Sequence, residues 1–176
     1  TEENTLSLHD ALPIFSVPTA AAAQLDQALR GQVVLVQEDN DGNALGATTA
    51  QIAGLLDDRF AAAEAVNDLG VSIRRGRTAF KLWAPTAQKV TLCIYGRGGF
   101  RSAQRDMQFD ATTGVWSLQQ HGRLDGLYYR YAVETFVRGV GRVRNLVTDP
   151  YSIGLDANSQ RSYIADLDAP WLMPHG

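Results

Sequence analysis

Hydrophobic and polar positions alternate with a period of two along much of the chain after residue 70. In TAFKLWAP, Phe80 and Leu82 alternate with Lys81 and Trp83. KVTLCIYG and LYYRYAVETF repeat the pattern farther along the chain. Successive side chains of a β-strand point to opposite faces, so this alternation predicts strands with one buried face each.

Turn signals separate these runs. Asp110–Gly114 lies between MQF and VWSL, and the glycines at Gly139–Gly141 precede a return strand that ends at Asp149 and Pro150. Short strands about ten residues apart, with turn residues between them, are typical of β-sandwiches. We therefore predict a mainly β fold, an immunoglobulin-like antiparallel β-sandwich over residues 70–165.

The region before the sandwich has a different pattern. Residues 16–69 are rich in alanine and predict a helix capped by Thr19 and stopped at Gly31, then a hairpin through EDNDGN. Apolar spacing from Leu55 to Val66 predicts a second, amphipathic helix. This region is predicted to be a small α/β segment that precedes the sandwich.

The hairpin turn has a second interpretation. Asp39, Asp41 and Asn43 are spaced like the start of a calcium-binding loop, but Ala50 stands where such a loop needs a bidentate acid. The residues favour a plain hairpin turn, and we expect no metal site.

The extreme N-terminus carries an unusual string. Residues Thr5 to Ile14 read TLSLHDALPI, which resembles the translation of a common sequencing adapter. We predict that residues 1–15 are an artefactual or disordered tail, and His9 is set aside as a site candidate.

Composition narrows the functional classes. The 176 residues contain 45% hydrophobic and 20% charged residues, with a net charge of -3 and one cysteine. These values are typical of a globular protein and give no basic excess for binding a nucleic-acid backbone. A single cysteine rules out an internal disulfide and a multi-thiolate zinc site, so Cys93 is interpreted as a small sheet residue. No apolar run is long enough to span a membrane.

Several motifs together point to a known family. FKLWAPTAQKVTLCIYG, DGLYYRYAVE and VTDPYS occur in this order. The sequence resembles the N-terminal region of pullulanase-type α-1,6-glucan debranching enzymes of glycoside hydrolase family 13. In that family these motifs lie in a starch-binding β-sandwich, a family 48 carbohydrate-binding module. The upstream GQVVLVQEDNDG is similar to the small α/β domain before it, so the resemblance covers residues 20–176.

The enzyme class that the sequence resembles needs a pair of catalytic carboxylates and a catalytic barrel. Retaining glycosidases place two carboxylates about 5–5.5 Å apart, and a catalytic barrel alone takes roughly 200–250 residues. We expect no catalytic residues here, with residues 166–176 as a linker toward a barrel. The resemblance implies two partners, branched α-glucan and that barrel. It implies no cofactor for this region, although calcium is conceivable in the parent enzyme, and it favours a secreted or periplasmic location.

Sugar binding is the chemistry that these residues can supply. Glycogen-binding relatives use two exposed tryptophans and a basic residue on a central strand, and Arg130 matches the basic residue. Both tryptophan positions differ here, which leaves Phe100 and Phe136 as the nearest aromatic residues. Trp83 and Trp116 lie within strands and are predicted to be buried or at a domain interface.

The sequence is therefore compatible with two functions. One is a non-catalytic N-terminal portion of a debranching enzyme, which binds α-glucan or docks on the barrel. The alternative is a free-standing glycogen- or protein-binding regulatory module. The chain continues through SYIADLDAPWLMPHG after its last predicted strand, as a linker would, which favours the first.

Overall fold

The computed structural model describes residues 22–167 and 169. The strands that alternate in sequence form two antiparallel sheets, which pack against each other. The helices are α1 (Ala22–Leu29) and α2 (Ala53–Arg59), and short 3-10 turns lie at Ala61–Ala65 and Ala157–Ser159. The strands are β1 (Val34–Glu38), β2 (Ala44–Thr49), β3 (Gly70–Arg74), β4 (Arg77–Trp83), β5 (Lys89–Tyr95), β6 (Arg101–Asp106), β7 (Gln108–Phe109), β8 (Val115–His121), β9 (Tyr128–Val137), β10 (Gly141–Val147) and β11 (Ser162–Tyr163). None of the helices among these residues is long and apolar enough to cross a membrane.

The two sheets form the sandwich. One has the strand order β10-β9-β5-β6, and the other has the order β3-β4-β8-β7. β11 pairs with Tyr128 and Tyr129, at the end of β9 that β10 does not reach. All these pairings are antiparallel, and the predicted immunoglobulin-like antiparallel β-sandwich is confirmed.

The core lies between the sheets. It is built from the inward-facing residues of the central strands, among them Phe80 of β4, Leu92 of β5 and Tyr131 of β9, all fully buried. The Phe80 ring meets Tyr129 edge to face at 5.2 Å between centroids. The two sheets are therefore held together mainly by apolar burial and aromatic contact.

A buried carboxylate ties the segment after β10 to this core. Asp149 Oδ2 accepts hydrogen bonds from Tyr129 Oη (2.6 Å) and Tyr131 Oη (3.2 Å), and Oδ1 accepts one from the Tyr151 amide (2.8 Å). The Asp149 amide donates to Ser162 Oγ (2.9 Å). Asp149 thus joins β9, through its carboxylate, to β11, through its backbone amide.

Burial controls the ionisation of this group. Desolvation raises the pKa of Asp149, although the hydrogen bonds from Tyr129 and from the Tyr151 amide oppose the rise. Burial, with the nearby Asp149 charge, also raises the pKa of Tyr129 and of Tyr131. Both phenols therefore stay protonated and donate.

The small α/β segment is attached to the sandwich by a few contacts. Phe60 is 3% exposed. Its ring lies so close to Gly114 that a Cβ there would sit 3.0 Å from it and 2.9 Å from Pro85. Gly114 also has φ +71, a backbone conformation that residues with a side chain rarely adopt. At a second contact, Gln88 Nε2 donates to the Arg30 carbonyl oxygen at 3.0 Å.

Some predicted elements differ from those observed. The helix predicted from Leu55 to Val66 stops at Arg59 and resumes as the 3-10 turn, because Phe60 leaves helical geometry (φ -115, ψ 26) where its ring packs on the sandwich. β6 was not predicted, since it is a polar edge strand without alternation. The hairpin prediction is confirmed, with Asp39 Oδ1 accepting from the Asp41 and Asn43 amides.

The tryptophan prediction is partly confirmed. Trp116 is 6% exposed, and its indole donates to the Ala84 carbonyl oxygen. Trp83 is half-buried and donates to the Thr113 carbonyl oxygen. The predicted tail over residues 1–15, the Thr19 cap and most of the predicted linker over residues 166–176 lie outside the described residues.

Candidate functional site

The face of the β10-β9-β5-β6 sheet that points away from the core carries the polar and aromatic groups of interest. Since β9 alternates, Tyr129 and Tyr131 face the core, and Tyr128, Arg130 and Phe136 face outward. We call this surface the outer face.

Arg130 lies on the central strand β9, two residues from Tyr128 and directly opposite Cys93 of β5. Its Nη2 donates to the Leu146 carbonyl oxygen of β10 at 2.6 Å. Its Nε is buried and has no hydrogen-bond partner among the described residues. Cys93 is fully buried beside it, as the sequence predicts for a small sheet residue, and its sulfur accepts from Gln104 Nε2 at 3.5 Å. The bond from Nη2 therefore holds the guanidinium in place, and only the terminal nitrogens can donate to a ligand, because Nε is buried.

Three tyrosines and a second arginine lie at the β11 end of this face. Tyr95 pairs in register with Tyr128, and Tyr128 pairs with Tyr163. The Tyr128 and Tyr163 ring centroids are 5.4 Å apart, and the Arg161 guanidinium lies 5.2 Å from Tyr128 and 5.8 Å from Tyr95. The rings and the cation support one another by cation–π attraction.

Arg161 is held by an acidic partner. Its Nε lies 2.5 Å from Asp156 Oδ2, and the Gln160 and Arg161 amides donate to Asp156 Oδ1. Burial raises the pKa of Asp156, but the hydrogen bonds from Arg161 and from these amides outweigh it and set the pKa below its ordinary value. The pair therefore stays charged at neutral pH.

Phe100 extends from the loop that follows Tyr95. Its side chain is 85% exposed. The loop closes through a hydrogen bond from the Gly96 amide to the Phe100 carbonyl oxygen at 3.0 Å. Gly99 has φ +84, a backbone conformation that favours glycine, and a Cβ there would lie 2.9 Å from Arg161 Nη1. The loop thus presents an apolar ring to solvent next to the tyrosines.

The three residues predicted to bind sugar do not form one cluster. Arg130 is two residues from Tyr128 and therefore near the end of the sheet where Phe100 lies. Phe136 is six residues from Arg130 along the same strand, about 20 Å at 3.3 Å per residue. It pairs with Arg142 near the other end of β9 and is 39% exposed. Arg130 and Phe100 are candidates for one site, and Phe136 belongs elsewhere.

The sequence analysis did not single out four residues of this site. Tyr95 and Tyr128 had a usable signal, because both fall on the outward side of clearly alternating strands. Arg161 and Tyr163 had none, since β11 is two residues long and its position beside β9 is a tertiary feature.

Among the described residues, the carboxyl and phenol groups whose pKa is most clearly raised lie away from this site. These groups are Asp149, Tyr129 and Tyr131. They lie in the core, where both tyrosines donate hydrogen bonds to Asp149. No group of three or more His, Cys, Asp or Glu residues that could hold a metal occurs between residues 22 and 167. Exposed aromatic carbon beside fixed guanidinium donors suits a neutral, hydroxyl-rich ligand.

Family comparisons agree with this chemistry. Residues 68–152 match Carbohydrate-binding module 48 (Isoamylase N-terminal domain), and residues 5–58 match the Pullulanase N2 domain. This chain belongs with the N-terminal region of the pullulanases. The N2 match includes residues 5–14, for which the adapter origin stays an untested prediction.

Individual relatives place the chain in the same group. It is 36% identical over 155 residues to a pullulanase of Klebsiella pneumoniae and 30% identical over 149 residues to the chloroplastic pullulanase 1 of Arabidopsis thaliana. These alignments cover 88% and 84% of this chain but 14% and 15% of those proteins. The chain therefore spans about a seventh of the length of these pullulanases.

Solved structures match in fold as well. The Klebsiella pneumoniae pullulanase complexed with maltotriose superimposes with a TM-score of 0.80 and 38% identity, over 86% of this chain and 14% of that one. A Paenibacillus barengoltzii pullulanase complexed with maltohexaose and alpha-cyclodextrin gives a TM-score of 0.56 and 29% identity, over 64% of this chain and 16% of that one. The chain thus shares its fold with part of each of these two pullulanases.

Proposed function

We propose that this chain is a non-catalytic N-terminal portion of a pullulanase-type debranching enzyme, and that its family 48 module binds branched α-glucan on the outer face. The observation that carries the proposal is the Arg130 guanidinium, anchored at the Leu146 carbonyl oxygen and otherwise unpaired among the described residues, toward the end of the sheet that carries the exposed Phe100 loop. The maltotriose complex of the Klebsiella pneumoniae pullulanase supports the ligand class.

Each residue has a distinct role in this proposal. Phe100 stacks against the apolar face of a glucose unit, because its ring is open to solvent. Arg130 donates to glucose hydroxyls from the terminal nitrogens of its guanidinium, since its Nε is buried. Neither role requires a metal or a cofactor.

Glucan affinity of the 176-residue chain tests the proposal directly. We expect retardation in a native gel that contains glycogen, and measurable binding of maltoheptaose by calorimetry. Arg130→Ala and Phe100→Ala should each weaken binding about tenfold, equivalent to about 1.4 kcal/mol. Arg74→Ala, an exposed arginine on the other sheet, is the matched control and should bind like the wild type.

The melting temperature of each variant separates binding from folding. Phe100 is almost fully exposed, so its loss should leave the melting temperature unchanged. A wild-type chain that binds neither glycogen nor maltoheptaose would contradict the glucan role. Release of reducing ends from pullulan by the purified chain would contradict the non-catalytic role.

Docking onto the rest of a pullulanase chain is a second proposed role of the module. Large apolar side chains are exposed together in the segment after β10, with Ile153 at 61%, Leu155 at 47% and Leu167 at 65%. Exposed apolar groups of this kind are typical of an interface. We expect the chain to copurify with the catalytic region of a pullulanase, and Ile153→Asp with Leu167→Asp to abolish this. Copurification that survives the double variant would contradict the role of this segment.

A further inference from the structure

The loop that carries Phe100 needs support from outside itself. Residues 96–100 read GRGGF, and we call them the Phe100 loop. Glycine loses more backbone freedom on folding than any other residue, so three glycines in five positions make this loop costly to order. The loop closes internally, through the Gly96 amide to the Phe100 carbonyl oxygen (3.0 Å) and the Gly99 amide to the Gly96 carbonyl oxygen (2.9 Å). Within the described part of the chain, no side-chain hydrogen bond ties it to the sandwich.

Arg161 supplies a contact from outside the loop. A Cβ on Gly99 would lie 2.9 Å from Arg161 Nη1 and 3.7 Å from its Cζ and Nη2, so the guanidinium packs against the loop where that side chain would be. The same guanidinium lies 5.8 Å from the centre of the Tyr95 ring, on the residue before the loop, and 5.2 Å from the centre of the Tyr128 ring. Arg161 therefore joins the loop to the ends of β5 and β9.

Arg161 is itself held in place by hydrogen bonds. Its Nε lies 2.5 Å from Asp156 Oδ2, and its amide donates to Asp156 Oδ1 at 2.8 Å. Ile164, three residues farther along, is fully buried, and its amide donates to the Leu127 carbonyl oxygen at 2.9 Å. The guanidinium therefore reaches the Phe100 loop from a segment that is anchored in the core.

A second arginine contact supports the loop from the other direction. Arg97 belongs to the loop, and a Cβ on Gly126 would lie 2.7 Å from Arg97 Nη2. Gly126 precedes β9, and its amide donates to the Ile164 carbonyl oxygen at 3.0 Å. Since Arg97 remains when Arg161 is removed, we expect the loss of Arg161 to loosen the loop rather than to release it.

We propose that Arg161 is a positioning residue for glucan binding, which holds the Phe100 loop in the conformation that presents the Phe100 ring to a glucose unit. A ring that is already in place need not be ordered by the ligand, which lowers the entropic cost of binding. This inference rests on the proposed function, in which Phe100 stacks against glucose. It adds a residue that acts through the loop and not on the sugar.

NMR relaxation of the backbone amides measures the order of the loop in the 176-residue chain without ligand. We expect Arg161→Ala to lower the heteronuclear NOE of the Gly98 and Gly99 amides, while the amides of β5 keep their wild-type values. Arg161→Lys keeps the positive charge beside Asp156 but lacks the forked guanidinium that packs on Gly99, so its NOE values should be intermediate.

Arg59→Ala is the matched control. Arg59 also pairs with an aspartate, Asp26, and lies 5.0 Å from the centre of an aromatic ring, that of Phe60, but it belongs to α2. Its loss should leave the NOE values of the Phe100 loop unchanged. The melting temperature of each variant establishes that it is folded under the conditions of the measurement.

Maltoheptaose affinity tests whether the order of the loop matters for binding. Arg161→Ala should weaken binding about fivefold in the otherwise wild-type chain, but less than about twofold when Phe100 is already alanine, because the two residues act as a unit. Arg59→Ala should leave the affinity unchanged in both backgrounds.

The outcomes separate this inference from the proposed function. Unchanged NOE values in folded Arg161→Ala would overturn the inference. The same loss of affinity with and without the Phe100 ring would also overturn it, since Arg161 would then act on the glucan directly. A wild-type chain that binds no maltoheptaose would contradict the proposed function. The relaxation data, recorded without ligand, would decide independently whether Arg161 holds the loop.

Discussion

The small α/β segment and the β-sandwich differ in how many of their side chains are buried. Between residues 24 and 69 only Leu29 and Phe60 are buried, and every residue of β2 is exposed. In β5 the five consecutive residues from Val90 to Ile94 are buried. The sandwich thus has a core of its own, whereas the segment depends on two side chains and a few hydrogen bonds. Loss of the segment should therefore be a local event and loss of the sandwich core a global one.

The largest effect should come from the sandwich core. Phe80→Ala removes a fully buried ring that packs edge to face on Tyr129, and we expect it to lower the free energy of unfolding by about 3–5 kcal/mol. Urea denaturation followed by tryptophan fluorescence measures this. Phe100→Ala, the exposed counterpart, should change it by less than about 0.5 kcal/mol. Similar losses in both variants would mean that the core is not where the structure places it.

Phe60→Ala should separate the two regions. It removes the ring that packs against Gly114 and Pro85, at a cost of about 3 kcal/mol. We expect hydrogen exchange to accelerate in α1, α2 and the β1–β2 hairpin while the amides of β5 keep their protection. Equal acceleration in β5 would show that the segment and the sandwich unfold as one unit.

A smaller effect is expected at the buried carboxylate. Asp149→Asn keeps the size of the side chain but sets an NH₂ group against the Tyr129 and Tyr131 hydroxyls or the Tyr151 amide, all of which donate. One donor is left unpaired, so unfolding should become easier by about 2 kcal/mol. Asn43→Ala, on the exposed hairpin turn, is a control that should cost much less. A neutral Asp149→Asn would contradict the inferred hydrogen-bond network.

The two regions should also differ in how their carboxylates titrate. Burial raises the pKa of Asp149 above 3.8, so its contribution to stability is complete at low pH and is lost as pH rises through the raised value. Hydrogen bonds from Asn43 lower the pKa of the exposed Asp39, so its contribution is lost as pH falls through the lowered value. Carbon-detected NMR titration should give the two pKa values on opposite sides of 3.8. Two values on the same side would contradict this.

The smallest effect should come from the hairpin. Leu45 is 64% exposed on β2, and Leu45→Ser should change the free energy of unfolding by less than about 0.5 kcal/mol. Differential scanning calorimetry against the wild type is sufficient to measure this. A loss above 1 kcal/mol would mean that β2 is covered in solution, and the comparison between the regions would need revision.

Prediction from sequence succeeded where local pattern and tertiary role coincide. β4, β5 and β9 alternate clearly because one side of each strand faces the core, and all three were predicted. β6 lies at a sheet edge and stays polar on both sides, so it has no alternation to detect. The helix break at Phe60 depends on Gly114, which is distant in sequence. Propensity alone could not reveal it.

The candidate sites show the same limit. Arg130 was selected because it matches the basic residue of glycogen-binding relatives, and Phe100 and Phe136 because they are the aromatic residues nearest to the missing tryptophans. The predicted strand LYYRYAVETF already places Phe136 about 20 Å from Arg130, whereas only the sheet register places Phe136 opposite Arg142. The contact between Gln88 and the Arg30 carbonyl oxygen joins α1 to the sandwich, although the hairpin and α2 separate them along the chain.

By itself the sequence determined the sandwich, its central strands, its inward and outward faces and its family, because side-chain alternation and ordered motifs are local properties of the chain. The tertiary structure decided the rest: the burial of Asp149, the placing of Arg161 beside Tyr95, the pairing of Phe136 with Arg142 and the contact of Gln88 with α1. Each of these depends on which distant residues become neighbours. Strand pairing and the packing between sheets determine which residues become neighbours, and no local sequence pattern specifies this.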